Sequence, residues 1–383
     1  MFTIQMIYAD NAATTKLDMD AFEAMKPYLL EDYGNASQSY SFSKKSRSAL
    51  KEARAVIAQC INAEPEEIFF TSGGTESDNW AIKEFGLIDE PKYIFTSTIE
   101  HKAVLNACRH MERKGIKIGY IPVDDVGVLR LNELEKQLRE RKRRDSIVGA
   151  TLVSIMLANN EIGTIEPIKE IAEIVHHYGA IMHTDAVQAV GHISIDVKEM
   201  KIDMLSASAH KFNGPKGIGF LYVKNGINIR PHNDGGFQEQ GMRAGTENVG
   251  AIVGMAKALR KNIVELKNNQ NKLLQLEKII EGGLLAENIK YVRNGSQEHI
   301  PGNMSLSFKG YEGEMLLHRL DLMNICVSTG SACDSEKTHI SHVLRAICLE
   351  DELAMGTIRI SLGKDNNEDE AKRIVEALAK ILK

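Results

Sequence analysis

Ser206-Ala207-Ser208-Ala209-His210-Lys211 ends on a lysine and is followed by Phe212-Asn213-Gly214-Pro215-Lys216-Gly217. An apolar run that begins at Ile202 leads into this stretch, so we expect a strand that gives way to a turn rich in glycine and proline. A second apolar run, Ala180-Ile181-Met182-His183-Thr184-Asp185, ends on a carboxylate farther upstream. Lys211 and Asp185 are therefore both expected at the ends of strands.

Strand-like and helical patterns alternate from about residue 45 to residue 255. Patterns typical of buried strands occur at residues 68–71, 93–96, 151–156, 181–184, 204–207 and 219–223. Between them, patterns typical of helices occur at residues 45–62, 103–114, 131–143 and 168–178. This alternation is typical of an α/β domain with a mostly parallel sheet covered by helices.

The pattern changes towards the end of the chain. From Glu247 to about Glu287 it is helical, interrupted only near Gly282-Gly283, as expected for a connector that leaves the first domain. Strands are then predicted at residues 304–308, 325–328 and 357–361, and helices at 312–322, 341–349 and 368–382. We therefore predict a large domain of residues 15–255 and a smaller α+β domain formed by residues 1–14 and 256–383.

The composition indicates which partners are excluded and in which cellular compartment the protein is expected. The 383 residues carry a formal net charge of −5, so no overall positive field attracts DNA or an anionic membrane. No apolar run approaches the ~18 residues of a membrane span, and the first residues do not read as a secretory leader. The 5 cysteines are odd in number and scattered, which argues against a disulfide framework and favours the cytosol.

Residues with chemical capability follow several predicted strands. In open α/β sheets, ligands lie beyond the carboxyl ends of the strands. The first is a glycine-rich helix start, Gly73-Gly74-Thr75, whose amides could hold a phosphate. Its cap is predicted to be a Thr-x-x-Asp pair. Polar side chains then follow later strands: His101, Asn159-Asn160 and Gln188. Each alone also fits a structural role, such as a cap or a solvated surface, but their succession in strand order favours a shared site.

The pair Lys211 and Asp185 matches the needs of one cofactor. Pyridoxal 5′-phosphate (PLP) requires a lysine that bonds its aldehyde and an acidic partner for its pyridinium nitrogen, so that the ring can act as an electron sink. The alternative is a surface lysine with an unrelated aspartate at a strand end.

Two later segments supply a thiol and an anion site. Cys333 lies in Val327-Ser328-Thr329-Gly330-Ser331-Ala332-Cys333-Asp334, a loop of small residues in which a thiol could move, whereas Cys60, Cys108 and Cys326 lie in helical or apolar patterns typical of buried cysteines. Arg359 alternates with apolar residues on a predicted strand and could grip a carboxylate with its two-pronged guanidinium. An exposed strand face is the alternative for Arg359.

The chain resembles, nearly end to end, the PLP-dependent cysteine desulfurases of the NifS/IscS type. The resemblance is carried by Tyr8 to Thr15, Thr71 to Asn79, Glu100-His101-Lys102, Asn159 to Gly163, Asp185 to Gln188, His210-Lys211, Gly214 to Gly219, Arg243 to Asn248, the Cys333 loop and Ile358 to Gly363. It implies the type I fold of PLP-dependent transferases and a homodimer with active sites at the subunit interface. The implied activity converts L-cysteine to L-alanine and leaves the sulfur as a persulfide on an enzyme cysteine.

The resemblance also implies a role for individual residues. Lys211 would bond the PLP aldehyde, Asp185 would pair with the ring nitrogen, His101 would stack on the ring and help to move the substrate proton, and Cys333 would be the nucleophile. Gln188 would contact the ring oxygen. The phosphate would be bound by Gly74, Thr75, Ser208 and His210, and by Thr246 across the subunit interface. The substrate carboxylate would be bound by Asn35, Asn160 and Arg359.

Several points are left open by the sequence. Asp334, Phe237 and Gln240 depart from the family pattern. We also expect the chain to lack the C-terminal extension that some relatives use to dock an iron–sulfur scaffold. Two sulfur acceptors therefore remain as alternatives, an iron–sulfur scaffold and a tRNA-thiolation enzyme. A selenocysteine lyase, another class V PLP aminotransferase and a non-catalytic sulfur carrier are the alternatives. We expect no metal site, because His339, His342 and Cys333 lack ligand spacing.

Overall fold

The computed structural model describes residues 6–86, 92–144, 150–329 and 340–383. Cys333 and Asp334 lie outside the described residues. The described strands are β1 (Ile7–Tyr8), β2 (Ile68–Thr71), β3 (Lys92–Ser97), β4 (Lys117–Ile121), β5 (Ala150–Ser154), β6 (Ile181–Asp185), β7 (Met204–Ser208), β8 (Gly219–Val223), β9 (Val292–Asn294), β10 (Asn303–Ser307), β11 (Ile325–Cys326) and β12 (Thr357–Ser361).

Helices connect and cover these strands. They are α1 (Met19–Leu30), α2 (Lys44–Cys60), α3 (Gly74–Glu84), α4 (Lys102–Arg113), α5 (Leu131–Arg144), α6 (Ile168–His177), α7 (Val249–Val264), α8 (Leu266–Ala286), α9 (Gly313–Asp321), α10 (His342–Ala346), α11 (Asp351–Met355) and α12 (Glu368–Leu382). Among the described helices, none combines the length and apolar character needed to cross a membrane.

A seven-stranded sheet forms the centre of the larger part of the molecule, in the order β2-β8-β7-β6-β5-β3-β4. The strands from β7 to β4 pair in parallel, whereas β8 runs antiparallel to both β7 and β2. The sequence-based prediction of an α/β fold with a mostly parallel sheet is confirmed. Because parallel strands end at the same edge, the segments that follow β3, β5, β6 and β7 are brought together there.

Helix α3 is fixed against this sheet by a large aromatic side chain. Trp80 is fully buried, and its indole N–H donates to the carbonyl oxygen of Arg230 at 2.8 Å. The ring also packs edge-on against Phe69 of β2 at 5.5 Å between centroids. Burial of such a ring contributes about 2–3 kcal/mol, so the amino-terminal end of α3 is held rigidly at the edge of the sheet.

A smaller antiparallel sheet, β12-β10-β9, has a separate apolar core with α8, α9 and α12. The amino-terminal segment joins this part, because β1 pairs in parallel with β11 and Asp10 forms a bridge with Ser361. These contacts support the proposed assignment of the first residues and the last third of the chain to one domain.

Some sequence-based predictions of local structure were wrong. The long helical segment breaks at Glu265, between α7 and α8, whereas Gly282 and Gly283 lie inside α8. The predicted Thr75–Asp78 cap does not form, because α3 begins at Gly74 with Gly73 as its cap residue. Tertiary packing outweighs local propensity at these positions. Helices α1 and α11 and strands β1, β4 and β9 were not predicted.

Candidate active site

A cavity of about 590 Å³ opens at the carboxyl ends of β5, β6 and β7. Most of the residues predicted for the site line it: Gly74, Thr75, His101, Asn160, Asp185, Gln188, Ser208, His210, Lys211 and Arg359. Other lining residues were not assigned to the site from the sequence, and they include Asp10, Asp78, Ser328 and Thr329.

Lys211 occupies a short 3-10 turn directly after β7. Its ammonium group donates to the carbonyl oxygens of Ala12 and Ala13 at 2.5 and 2.9 Å. The main chain at Lys211 is fixed by a further hydrogen bond, because Nε2 of His192 donates to the Lys211 carbonyl oxygen at 2.8 Å. The lysine side chain thus projects from a fixed backbone into the cavity and has peptide carbonyls as its resting partners.

Asp185 ends β6 inside the cavity. Its Oδ1 accepts a hydrogen bond from the Val187 amide at 2.9 Å. Burial raises the pKa of the Asp185 carboxyl, whereas the neighbouring His101 and Lys211 act in the opposite direction. A buried carboxylate on the cavity wall is suited to bind a protonated ring nitrogen, because such a ligand would bring a positive charge directly to it.

His101 is the cap residue of α4. Its Nδ1 accepts from the Ala103 amide at 3.2 Å, which places the proton of the neutral ring on Nε2. Burial lowers the pKa of the His101 imidazole, and the cations Lys211 and Lys102 lower it further, although Asp185 opposes them. We therefore treat His101 as neutral at pH 7.

The start of α3 forms a cradle of closely packed backbone. A Cβ atom at Gly74 would lie 2.4 Å from Cγ2 of Val187, and a Cβ atom at Gly219 would lie 2.7 Å from Cα of Gly73. Glycine is therefore required for these segments to approach each other. The dipole at the start of a helix favours an anion.

Side chains beside this helix start complete the cradle. Ser208 and His210 line the cavity there, and Nδ1 of His210 lies 3.1 Å from Oγ1 of Thr14. Burial, together with Lys211 and Lys216, lowers the pKa of His210 to about 4. The donor set of amides, a hydroxyl and a neutral imidazole fits a phosphate group.

Arg359 lies across the cavity from this cradle, on β12. Its side chain is buried, and Nη1 donates to the carbonyl oxygen of Asn160 at 2.8 Å while Nη2 donates to Oδ1 of Asp10 at 2.7 Å. The main chain of Arg359 also exchanges two hydrogen bonds with Ser328, at 2.6 and 3.0 Å. Ser328 and Thr329, the last residues described before position 330, line the rim of this cavity.

Comparisons with known proteins identify the family of the chain. The family model described as aminotransferase class-V matches residues 7–374. The chain belongs to the class-V aminotransferase family.

Individual relatives of this aminotransferase class-V chain cover nearly its whole length. It is 44% identical to the cysteine desulfurase IscS of Clostridium botulinum, across 99% of this chain and 95% of that protein. A solved NifS-like protein matches with a TM-score of 0.91 and 37% identity, covering 99% of each chain. A solved structure of SspA in complex with cysteine matches with a TM-score of 0.79 and 32% identity, covering 94% of this chain and 99% of that one.

Three residues predicted for the site of this class-V chain are not placed at the cavity. Asn35 lies elsewhere, where its side chain accepts from the Ser37 amide at 2.9 Å. Thr246 lines an adjoining hollow, which shares Ser72 and Gly217 with the cavity. Cys333 is outside the described residues.

A buried polar layer beneath Asp185 was not identified from the sequence. His183 of β6 lies 2.8 Å from Oγ of Ser154 through Nδ1, and 3.0 Å from Oγ of Ser206 through Nε2. Its Nε2 is also 3.8 Å from Oδ1 of the buried Asp78. Burial lowers the pKa of His183 to about 3, and burial beside Asp185 raises the pKa of Asp78. The period-two pattern of β6 was the available signal, because it places His183 on the same face as Asp185.

Proposed function

We propose that this protein is a PLP-dependent cysteine desulfurase that converts L-cysteine to L-alanine and transfers the sulfur to one of its own cysteines. The observation that carries the proposal is a single cavity with Lys211 and Asp185 on one side and Arg359 on the other. Such a cavity offers a covalent anchor and a ring partner for the cofactor, and an anion site for an amino acid.

The cofactor would be held at three points. Lys211 would bond its aldehyde, Asp185 would bind its ring nitrogen, and the phosphate would sit in the cradle formed by Gly74, Thr75, Ser208 and His210. His101 would lie against the ring and Gln188 would contact the ring oxygen; Nε2 of Gln188 donates to the Ala12 carbonyl at 2.9 Å. When bound, PLP supplies an electron sink for the carbon atoms of an attached amino acid.

The remaining groups would bind the substrate and move its proton. Arg359 and the Asn160 segment would hold the carboxylate, with Asn35 contributing from the exposed chain near the interface. The amine of Lys211 or the neutral imidazole of His101 would take the α-proton, because both face the cavity and a neutral imidazole can accept a proton at pH 7.

Cys333 would be the nucleophile. Its thiolate attacks the sulfur of L-cysteine, the bond between that sulfur and the β-carbon breaks, and a proton is delivered to the β-carbon, so that alanine and an enzyme persulfide are formed. Among the described cysteines, burial raises the pKa of Cys60 to about 11 and that of Cys108 to about 12, and burial also raises the pKa of Cys326. These thiols are poor nucleophiles at neutral pH, since the thiolate is the reactive form.

A homodimer is part of the proposal. Large apolar side chains are exposed on and just after α1, and Phe237 is 95% exposed. Residues near this surface include Gln238, whose side chain reaches Ser37 at 3.5 Å. A second copy of the chain packed here would cover these side chains and would allow Thr246 to reach the phosphate of the neighbouring site.

The acceptor of the sulfur is the last part of the proposal. A persulfide can be passed to another thiol, so we propose an iron–sulfur scaffold or a tRNA-thiolation enzyme as the acceptor, and the cytosol as the location. The described cysteines are unpaired with one another, in keeping with a reducing compartment.

Incubation of the PLP-loaded protein with L-cysteine and a reductant tests the proposal. We expect equal amounts of alanine and sulfide from the wild type, and neither from Cys333→Ala, although that variant should retain the absorbance of bound PLP. Cys348→Ala is the matched control, because it removes an exposed thiol away from the cavity. Sulfide with pyruvate instead of alanine, or full activity of Cys333→Ala, would refute the proposal.

A further inference from the structure

The guanidinium of Arg359 is already engaged by an acid of this chain. Asp10 Oδ1 accepts from Nη2 at 2.7 Å, and the side chains of Arg359 and Asp10 are 7% and 19% exposed. Both line the cavity. A substrate carboxylate therefore approaches a cation whose charge is partly balanced by a neighbouring carboxylate.

Main-chain hydrogen bonds fix Asp10 in this place without any ligand. The amide of Ser361 donates to the Ala9 carbonyl at 2.8 Å, and the Asn11 amide donates to the Ser361 carbonyl at 3.0 Å. Asp10 is thus held beside β12, opposite Ser361, which lies two positions after Arg359 on that strand. The backbone at Asp10 is therefore fixed, and the ion pair with Arg359 keeps the carboxylate near the anion site.

The guanidinium retains donors for a second anion. Arginine has five N–H groups, and the two contacts to Asn160 and Asp10 use one on each terminal nitrogen. Its Nε is buried and has no hydrogen-bond partner among the described residues. A ligand carboxylate can therefore bind without displacing Asp10, and the two like charges would then share one cation.

We propose that Asp10 sets the affinity of the site for the substrate carboxylate: it orients Arg359, and its negative charge weakens the hold on the bound anion. This inference rests on the proposed function, because it concerns the carboxylate of the amino acid substrate and of the alanine product. Its consequence is that alanine leaves more readily than it would from an unshared arginine.

The substitution Asp10→Asn distinguishes the effect of the Asp10 charge from its effect on the orientation of Arg359. The amide oxygen can still accept from Nη2, but the negative charge is removed. We expect L-alanine to bind the holoenzyme roughly 3- to 10-fold more tightly, as measured by titration of the cofactor absorbance, because a like charge is removed from a partly buried site. The KM for L-cysteine should fall by a similar factor, whereas kcat should not rise.

A second readout does not depend on the cofactor or on turnover. Propionate is titrated into the full-length apoprotein and followed by ligand-observed NMR, with Arg359→Ala as the background. The same tightening is expected for Asp10→Asn, and a smaller one for the shorter neutral variant Asp10→Ser, which removes the charge but no longer orients Arg359. Asp369→Asn is the control, because it removes one negative charge from the exposed start of α12, and it should bind propionate as the wild type does.

Unchanged or weaker binding of alanine and propionate by both neutral variants would overturn the inference. That result would show that Asp10 serves orientation alone or is required for the site to form. Failure of the proposed function is distinguishable, because a wild type that forms no alanine from L-cysteine would still report the effect of Asp10 in the propionate titration.

Discussion

Replacement of Glu100 by glutamine should make the stability of the protein less dependent on pH. Glu100 is fully buried where β3 ends, and its Oε1 accepts from Oγ of Ser97 at 2.7 Å and from the Met156 amide at 2.8 Å. Its Oε2 has no partner among the described residues. Burial raises the pKa of Glu100 from 4.5 to about 8, with Asp185 contributing to the same direction.

Proton linkage decides whether the free energy of unfolding rises or falls with pH. In the folded protein Glu100 holds its proton up to about pH 8, whereas in the unfolded chain it loses the proton near pH 4.5. The folded state therefore binds more protons in this window, and the free energy of unfolding falls by about 1.4 kcal/mol per pH unit. The stabilisation is complete below pH 4.5, falls as the pH rises, and reaches its lowest level above pH 8.

Glu100→Gln lacks this titration and retains an oxygen for Ser97 and Met156. The stability of the wild type relative to this variant should decrease by on the order of 3 kcal/mol between pH 5 and pH 8. Urea unfolding of both proteins at several pH values measures the difference, and the exposed Glu376→Gln serves as the control. A difference that stays constant, or that grows with pH, would show that Glu100 is buried as a carboxylate and would refute the reasoning.

Three further substitutions test the parts of the site. Gly74→Ala, whose Cβ would lie 2.4 Å from a side-chain carbon, should weaken PLP binding at least about tenfold in an absorbance titration; normal affinity would contradict the phosphate cradle. Asp185→Asn should lower kcat by about two to four orders of magnitude, because removing one charge of a buried pair costs about 3–5 kcal/mol, and an unaltered rate would exclude its role at the ring nitrogen. Arg359→Lys should raise the KM for L-cysteine at least about tenfold with a smaller change in kcat; an unchanged KM would place the carboxylate elsewhere.

The sheet could be predicted from the sequence because each inner strand is a short apolar run ended by small or polar residues. Strand β7 is buried throughout, and it was recognised at residues 204–207. Strand β4 was missed because it lies at the sheet edge, where its mixed burial produces no clear pattern. The break at Glu265 was missed because glycine is the usual helix breaker, whereas Gly282 and Gly283 lie inside α8.

The candidate site could be predicted where its residues directly follow strands. Lys211 and Asp185 belong to this class, since the order of parallel strands brings their ends together. The pair of Asp10 and Arg359 joins residues from opposite ends of the chain. Neither residue carries a local signal of the other, so this ion pair required the three-dimensional structure.

The central claim is that Cys333 receives sulfur from L-cysteine. Its most direct test is mass spectrometry of the PLP-loaded protein after reaction with one equivalent of L-cysteine and no reductant. The account predicts a gain of one sulfur atom, located on the peptide that contains Cys333, together with one equivalent of alanine. Sulfur on Cys348, or alanine without any gain of sulfur on the protein, would contradict it.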